Sequence, residues 1–357
     1  MILRIRGKRM YNVTVIIGVR PHYVKANGLN EIFKNTEINP IFFDVCQHYD
    51  QYLHDNYLDF CGFEIRNVYR KRANRSHDFA DQIIDVEDWL DSSEGKKSKA
   101  VIVLGDANPA MSGAIAANKK GFPIIHIEAG VRRIETEKEH WNSIVADHLS
   151  NLRYCYTRKS MENLEYEGLK NNSYMVGDIL AEWTIKKAEQ IKNMPSKNPY
   201  CLVSIHRPQN CNMESISELC KALKGFNKEV IWILHPRTKK FNEQIKKELN
   251  AHVILSQKHE EALKLLKYAD LIITDSGGFV REGTLLKKPI IVCHEQGMWA
   301  ELVENNIIMR ADMTHTSLTY AINNYSKLNY KNGKYFFIAE NGKQMFLKTI
   351  SDFLQRM

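Results

Sequence analysis

From Asn12 onward the chain alternates short β-branched apolar runs with amphipathic stretches of roughly 10–17 residues, the pattern of a parallel sheet covered by helices. In the first half the candidate strands are NVTVIIG, INPIFFDV, KAVIVLG, FPIIHIE, RYCYTR and SYMVG. The run AVIVL is apolar throughout, as expected of a central strand buried on both faces. After Asp178, ILAEWTIKKAEQIKN reads as a helix, and MPSKNP, with its prolines and small polar residues, reads as linker. The alternation then restarts with YCLVSIH, EVIWILH, HVILS, LIITDS and PIIVCH, separated by helical stretches such as ESISELCKALKGF and HEEALKLLKYA. At 357 residues the chain exceeds the size, roughly 250–300 residues, at which one core usually splits into two. The expected fold class is therefore α/β, with two Rossmann-like doubly wound domains over residues 1–180 and 181–341. Beyond Ile308 the pattern weakens, but GKQMFLKTISDFLQRM has apolar residues at helical spacing and predicts a terminal helix over 342–357 that packs back on the first domain.

Composition narrows the function classes. Lys plus Arg exceeds Asp plus Glu by 50 − 42 = 8, which suits either a Lys-rich solvated surface or a basic site for an anionic small molecule. No basic stripe with interleaved aromatics marks a nucleic-acid surface, so no nucleic-acid partner is expected. The seven cysteines, at 46, 61, 155, 201, 211, 220 and 293, form no CxxC pair and no zinc spacing, and read as reduced thiols. No apolar run approaches the roughly 18–20 residues of a membrane span. A cytoplasmic protein without membrane insertion is the expectation. The opening MILRIRGKRM is short and basic, lacks a signal peptide's apolar region, and precedes a second methionine, Met10.

In open parallel sheets ligands collect beyond the carboxyl ends of the strands, so the polar residues just after each apolar run carry the functional weight. After the first strand, Arg20 and Lys25 bracket the first turn of a helix, where free backbone N–H groups favour anions; they form a phosphate clamp or a pair of solvated cations. Neither a GxGxxG fingerprint nor a P-loop is present. Asp106 follows AVIVL and either caps the next helix, with Pro109 near its start, or is an acid/base group. Glu128 leaves FPIIHI toward the same crevice. Two carboxylates on adjacent strand ends are expected to push each other's pKa values apart and divide acid and base roles. In the second half His206 and Arg207 end the first strand, and His206 is either structural or an acid/base group. Ser276, Gly277 and Gly278 open a helix carrying Glu282, where paired glycines let backbone N–H groups approach a phosphate. His235 closes another strand and is either structural or diphosphate-facing. A diphosphate cradle from one half and carboxylates from the other suit a nucleotide-diphosphate sugar.

In order from about Val13 to Asn305, the blocks GVRPHYVKANGL, CQHYDQYLHD, VIVLGDAN, PIIHIEAGVR, ADHLSNLRYCYTRKSMENLEYEGL, MVGDIL, LVSIHR, ILHPRT and DSGGFVREG resemble the UDP-N-acetylglucosamine 2-epimerases. That family shares the two-domain architecture of GT-B glycosyltransferases, so the resemblance implies an active site in an interdomain cleft. It implies an isomerase: a base removes the C2 proton while UDP departs from C1, and re-addition of UDP to the resulting 2-acetamidoglucal inverts C2. Position by position, Asp106, Glu128 and Glu139 match the acid/base carboxylates and His206 the histidine at the diphosphate and sugar. Arg20, Lys25, Ser276, Gly277, Gly278 and Glu282 match nucleotide-sugar contacts, and Gln47, Arg207 and His235 are expected substrate contacts beside them. Gln47 and Arg207 also match two allosteric contacts of the UDP-N-acetylglucosamine branch, but the rest of that set is unmatched and no allosteric activation is expected. The resemblance implies a UDP-sugar and UDP as partners, a homodimer, and no metal or redox cofactor. The segments QHYD, Arg75-Ser76-His77 and Trp299–Glu304 look closer to the branch acting on UDP-2,3-diacetamido sugars.

The chain departs from the family in two motifs. Lys138-Glu139-His140-Trp141-Asn142-Ser143 stands for Pro-Glu-Glu-x-Asn-Arg, so Ser143 replaces an arginine, with Arg132 or Arg133 as the candidate substitute. Met298 and Trp299 fall where the family has Glu-Arg, which removes a second arginine. The competing readings are a hydrolysing epimerase that releases UDP and free sugar, a GT-B glycosyltransferase, and a catalytically silent UDP-sugar binding protein.

Overall fold

The computed structural model describes residues 4–5, 8–46, 65–66, 79–133, 135–255, 258–293 and 299–357. They fall into two compact units, Met1–Leu180 with Ile338–Met357, and Ala181–Phe337.

In the first unit the described residues form a seven-stranded parallel sheet. Its strands are β1 (Tyr11–Ile17), β2 (Ile38–Asp44), β3 (Ile65–Arg66), β4 (Ala100–Leu104), β5 (Ile124–Ile127), β6 (Leu152–Cys155) and β7 (Ser173–Met175). Their spatial order is β3-β2-β1-β4-β5-β6-β7. Helices α1 (Arg20–Phe33), α2 (Phe79–Asp91), α3 (Asn108–Lys119), α4 (Lys138–Leu149) and α5 (Arg158–Tyr166) connect them. Two apolar layers explain why β1 and β4 are nearly all apolar. Val13, Val15, Ile17, Ile102 and Leu104 point to the face covered by Leu29 and Phe33 of α1. The alternate residues Ile16, Val101 and Val103 point to the opposite face, against Val86 of α2 and Ala114 of α3.

The second unit repeats this plan with six parallel strands. These are β8 (Tyr200–Ser204), β9 (Glu229–Leu234), β10 (His252–Leu255), β11 (Leu271–Thr274), β12 (Ile290–Val292) and β13 (Met309–Arg310), in spatial order β10-β9-β8-β11-β12-β13. Its helices are α6 (Ala181–Gln190), α7 (Met213–Leu223), α8 (Asn242–Leu249), α9 (His259–Tyr268), α10 (Gly277–Leu285), α11 (Ala300–Glu304) and α12 (His315–Asn324). Cys201 and Val203 enter one apolar layer, Tyr200 and Leu202 the other. The chain then returns to the first unit, where Ile338 bridges Gly177 and α13 (Gly342–Arg356) buries Phe346, Ile350 and Leu354 in the core. Phe346 stacks on Phe33 at 5.8 Å and meets Tyr154 edge-on at 4.7 Å. Each such side chain contributes about 1.5–3 kcal/mol to holding the last helix in place.

The α/β class and the doubly wound sheets are as the alternation predicts. Two strands escape the pattern, β3 and β13, because two residues are too few to show a period. Six cysteines, at 46, 155, 201, 211, 220 and 293, are free and buried; Cys61 lies outside the described residues. Among the described residues no helix is long and apolar enough to cross a membrane. In both sheets the strand order reverses between the first and fourth strands, which opens a crevice at their carboxyl ends, β1 beside β4 and β8 beside β11.

Candidate functional site

At the carboxyl end of the first sheet, three consecutive strand ends carry a chain of charges. β1 runs through Gly18 into α1, whose second turn carries Lys25; β4 ends in Gly105 and Asp106; β5 ends in Glu128. Lys25 Nζ is joined to Glu128 Oε2, with both side chains mostly buried. Arg133 Nε donates to Asp106 Oδ2 at 2.6 Å, and Arg133 Nη1 lies 3.3 Å from Glu137 Oε2. Burial of Asp106 opposes its charged form, but the Arg133 charge and hydrogen bond, with the Lys25 charge behind them, outweigh it and hold the carboxyl below its usual value of 3.8. Burial also opposes the charge on Arg133, which is outweighed by Asp106, Glu137 and Glu139.

The backbone around these groups is under local constraint. Glu128 adopts φ 71°, a left-handed conformation that costs a residue with a Cβ about 1–2 kcal/mol. The turn is held because the N–H groups of Glu128 and Ala129 both donate to the Tyr154 carbonyl, at 3.0 and 2.9 Å, and Gly130 N–H donates to Asp147 Oδ2 at 3.0 Å. Gly105 is also left-handed, at φ 65°, and a Cβ there would lie 3.1 Å from Lys25 Nζ and 3.3 Å from Glu128 Oε2. A side chain at Gly105 would therefore press on that pair. Beneath the turn, buried His126 spans the Gly105 carbonyl, 2.8 Å from Nε2, and Asp147 Oδ1, 2.7 Å from Nδ1. Arg132 donates to Asp147 at 2.7 Å, grips Glu167 through Nε and Nη2, and donates to Ser143 Oγ at 3.2 Å. Burial would raise the Asp147 pKa, but His126 and Arg132 together hold it below the usual value.

In the second sheet the corresponding seam joins His206, after β8, to Asp275, after β11. Asp275 is buried, with Oδ1 2.9 Å from both His206 N and His206 Nδ1, and Oδ2 accepting from Arg207 N at 2.9 Å and Asn210 Nδ2 at 3.0 Å. Burial raises the Asp275 pKa, and these donors more than reverse it, so it is held low. A carboxylate only accepts, so His206 Nδ1 carries the proton and Nε2 faces away from Asp275. Arg237 Nη1 donates to the His206 carbonyl at 3.0 Å, and the His235 ring lies 5.6 Å from that of His206. Ser276 caps α10, its hydroxyl accepting from Phe279 N. Gly277 and Gly278 thus present unbonded helix N–H groups at the positive end of the helix dipole. Gly278 is exposed, and a Cβ there would meet nothing nearer than Ser276 Oγ at 3.8 Å. One turn on, Glu282 is buried, with Oε1 2.8 Å from His259 Nε2 and 3.8 Å from Arg281 Nη1. Trp183 lies parallel to the His259 ring at 6.1 Å.

Several expectations resolve at this level. Asp106 does not cap α3: Ala107 occupies the cap position, and the Asp106 carboxylate turns to Arg133. Asp106 and Glu128, the two strand-end carboxylates, each lie against a cation of their own, Arg133 and Lys25. Of the groups expected to face phosphate, Lys25 lies on Glu128, and Arg20 is half-buried in the first turn of α1. Glu139 is exposed in the first turn of α4. His206, Arg207, His235, Ser276, Gly277 and Gly278 share the carboxyl end of the second sheet. Gln47 lies outside the described residues. The sequence reading missed Asp275, Asp147 and His259, whose partners are distant in the chain. The one signal for Asp275 was a carboxylate ending an otherwise apolar strand. Among the described residues no group of three or more His, Cys, Asp or Glu side chains converges to hold a metal ion.

The family model described as UDP-N-acetylglucosamine 2-epimerase matches residues 30–350. A UDP-N-acetylglucosamine 2-epimerase of Methanococcus maripaludis is 31% identical over 335 residues, covering 85% of this chain and 89% of that protein. A UDP-2,3-diacetamido-2,3-dideoxy-D-glucuronate 2-epimerase of Pseudomonas aeruginosa is 28% identical over 305 residues, covering 82% of this chain and 85% of that protein. The Methanocaldococcus jannaschii UDP-GlcNAc 2-epimerase, solved in complex with UDP-GlcNAc and UDP, superposes with a TM-score of 0.81 at 24% identity, covering 95% of this chain and 99% of that one. The match over nine-tenths of the sequence, with a relative above 30% identity, establishes that the chain belongs to the UDP-N-acetylglucosamine 2-epimerase family.

Proposed function

We propose that the chain inverts C2 of a UDP-linked 2-acetamido sugar by eliminating and re-adding UDP. The observation that carries this reading is the pair of strand-end carboxylates, Asp106 and Glu128, each held ready by its own cation. In the forward step a carboxylate takes the C2 proton and the C–H electrons form the C1–C2 double bond. The C1–O bond breaks with its electron pair on the β-phosphate oxygen, leaving a 2-acetamidoglucal and UDP. In the reverse step that oxygen adds to C1 and a proton is delivered to the opposite face of C2. The elimination and the addition balance without any net oxidation.

The C2 proton is weakly acidic, so the step needs help at the leaving group and a proton-transfer group on each face. Asp106, Glu128 and Glu139 are the proposed proton-transfer groups. The α10 N-terminus with Ser276, Gly277 and Gly278, together with Arg207 and His235, is the proposed diphosphate site, and Arg20 is a proposed nucleotide-sugar contact. His206, oriented by Asp275, is proposed to protonate or hydrogen-bond the departing diphosphate, and Glu282 to hold the nucleoside. Activity as a cytoplasmic homodimer in surface-polysaccharide precursor synthesis completes the proposal.

The test is NMR in D2O with UDP-N-acetylglucosamine and, separately, its 3-acetamido uronate analogue. Deuterium at C2 in a gluco/manno mixture still linked to UDP is the expected result, and the better substrate identifies the branch. Stoichiometric free UDP with free sugar would instead mean a hydrolysing enzyme, and no exchange with either sugar would overturn the proposal.

A further inference from the structure

We infer that Arg133 is a positioning residue: its guanidinium clamps Asp106 through Nε and Glu137 through Nη1, fixing the Asp106 carboxylate relative to the first turn of α4, which carries Glu139. This rests on the proposed epimerase reading and deepens it.

Two adjacent arginines follow the Glu128 turn, and the structure separates their tasks. Arg132 is wholly engaged below the strand ends, with Asp147, Glu167, Ser143 and the Val131 carbonyl. Arg133 turns to the reactive side. It is mostly buried, its Nε is 2.6 Å from Asp106 Oδ2, and its Nη1 is 3.3 Å from Glu137 Oε2. Asp106 is also fixed through its backbone, since Asn142 Nδ2 donates to the Asp106 carbonyl at 3.0 Å and bonds Asn108 Oδ1 at 3.1 Å. Asn142 lies on α4, so the helix that carries Glu139 is tied to Asp106 twice, once by Asn142 and once by Arg133 through Glu137 at its N-cap. The charged groups around Asp106 are Arg133 and Lys25, with Glu128 on the far side of Lys25; around Arg133 they are Asp106, Glu137 and Glu139.

Two properties follow. A fork held by two carboxylates fixes direction as well as charge, which lysine reproduces only in part. The same contact keeps Asp106 ionised, in agreement with its lowered pKa, so Asp106 enters the reaction able to accept a proton.

The experiment compares R133Q and R133K with wild type by two readouts. One is the side-chain carboxyl 13C titration of Asp106, assigned with D106N. The other is the pH profile of C2 deuteration. In R133Q the Asp106 titration should move up, the acid limb of kcat should follow, and kcat should fall roughly 30–100-fold with KM changed less than about threefold. R133K should keep most of the titration shift and regain only part of kcat, and it serves as the folded comparison where R133Q is too unstable. An unchanged Asp106 titration in both variants, with wild-type epimerisation intact, would overturn the Arg133 inference and leave the proposed function standing. A moved titration in a protein whose wild type exchanges no C2 proton would overturn the proposed function and leave the clamp standing.

Discussion

Asp275→Asn is the most informative single change in the second unit, because it preserves shape and alters only what the group can accept. Asp275 receives four donors, the His206 N–H and Nδ1–H on one oxygen and the Arg207 N–H and Asn210 Nδ2–H on the other. Asparagine keeps one accepting oxygen and replaces the other with an NH2. If the NH2 faces His206, the backbone N–H is stranded and the ring must shift its proton from Nδ1 to Nε2. If it faces the other side, the Arg207 N–H is stranded and Asn210 retains only the Cys293 carbonyl, at 2.8 Å. Either way two bonds to the carboxylate are lost, at about 1.5–3 kcal/mol each, so stability should fall by about 3–6 kcal/mol. Activity should fall on the order of 10²-fold or more, since in either orientation the imidazole loses the carboxylate that balances its positive form, and where the NH2 faces it the Nδ1–H tautomer is lost as well. Urea unfolding followed at Trp232, buried in this unit's core, measures the first quantity. Rates of C2 deuteration measure the second, and long-range 1H–15N correlations read the His206 tautomer. A stability loss under about 1 kcal/mol, with kcat within threefold of wild type, would refute the reasoning.

Three further outcomes are expected. Lys25→Met and Glu128→Gln should each destabilise by roughly 2 kcal/mol by stranding a mostly buried charge, and the double variant should be less destabilised than their sum; a urea-based double-mutant cycle tests this. Gly278→Ala should melt within about 1 °C of wild type, because its Cβ meets only Ser276 Oγ at 3.8 Å, yet weaken UDP binding by roughly tenfold or more in calorimetry. Asp106, Asp147 and Asp275 all have folded pKa values below 3.8, so the stability they contribute is fully present above that value and is lost as pH falls through the lowered pKa values. From these groups the urea midpoint should be flat from roughly pH 5 to 8 and drop below about pH 4.

Local pattern made the strands legible wherever it was long enough to show a period. AVIVL announced a central strand because helices on both faces demand apolar residues at every position, and the structure buries all five. Ile65–Arg66 and Met309–Arg310 carried no such signal. The site was legible as a set of residue types at strand ends, and illegible as a set of pairs. Asp106 illustrates the limit: an aspartate one or two residues before a helix reads as a cap, but the cap position falls at Ala107. What redirects the side chain is Arg133, 27 residues further along the chain. Glu128 illustrates another limit. Glutamate has no preference for a left-handed backbone, and only the shared Tyr154 carbonyl and the Asp147 carboxylate, both remote in sequence, make the turn tenable.

Those missing pairings have one topological source. A strand order that runs outward from the first strand and then restarts beside it brings the residues after the first strand against those after the fourth. In the second unit this sets His206 on Asp275, 69 residues apart. In the first it sets Lys25 and Gly105 in one crevice, with Glu128 from the next strand completing the cluster. Asp106, Glu128 and His206 thus each follow a largely apolar strand and are each braced by a partner remote in sequence, Arg133, Lys25 and Asp275. Substitutions of the bracing partners Asp275, Lys25 and Arg133 should accordingly show in tautomer, titration and rate, while substitutions of apolar strand residues should show in stability alone.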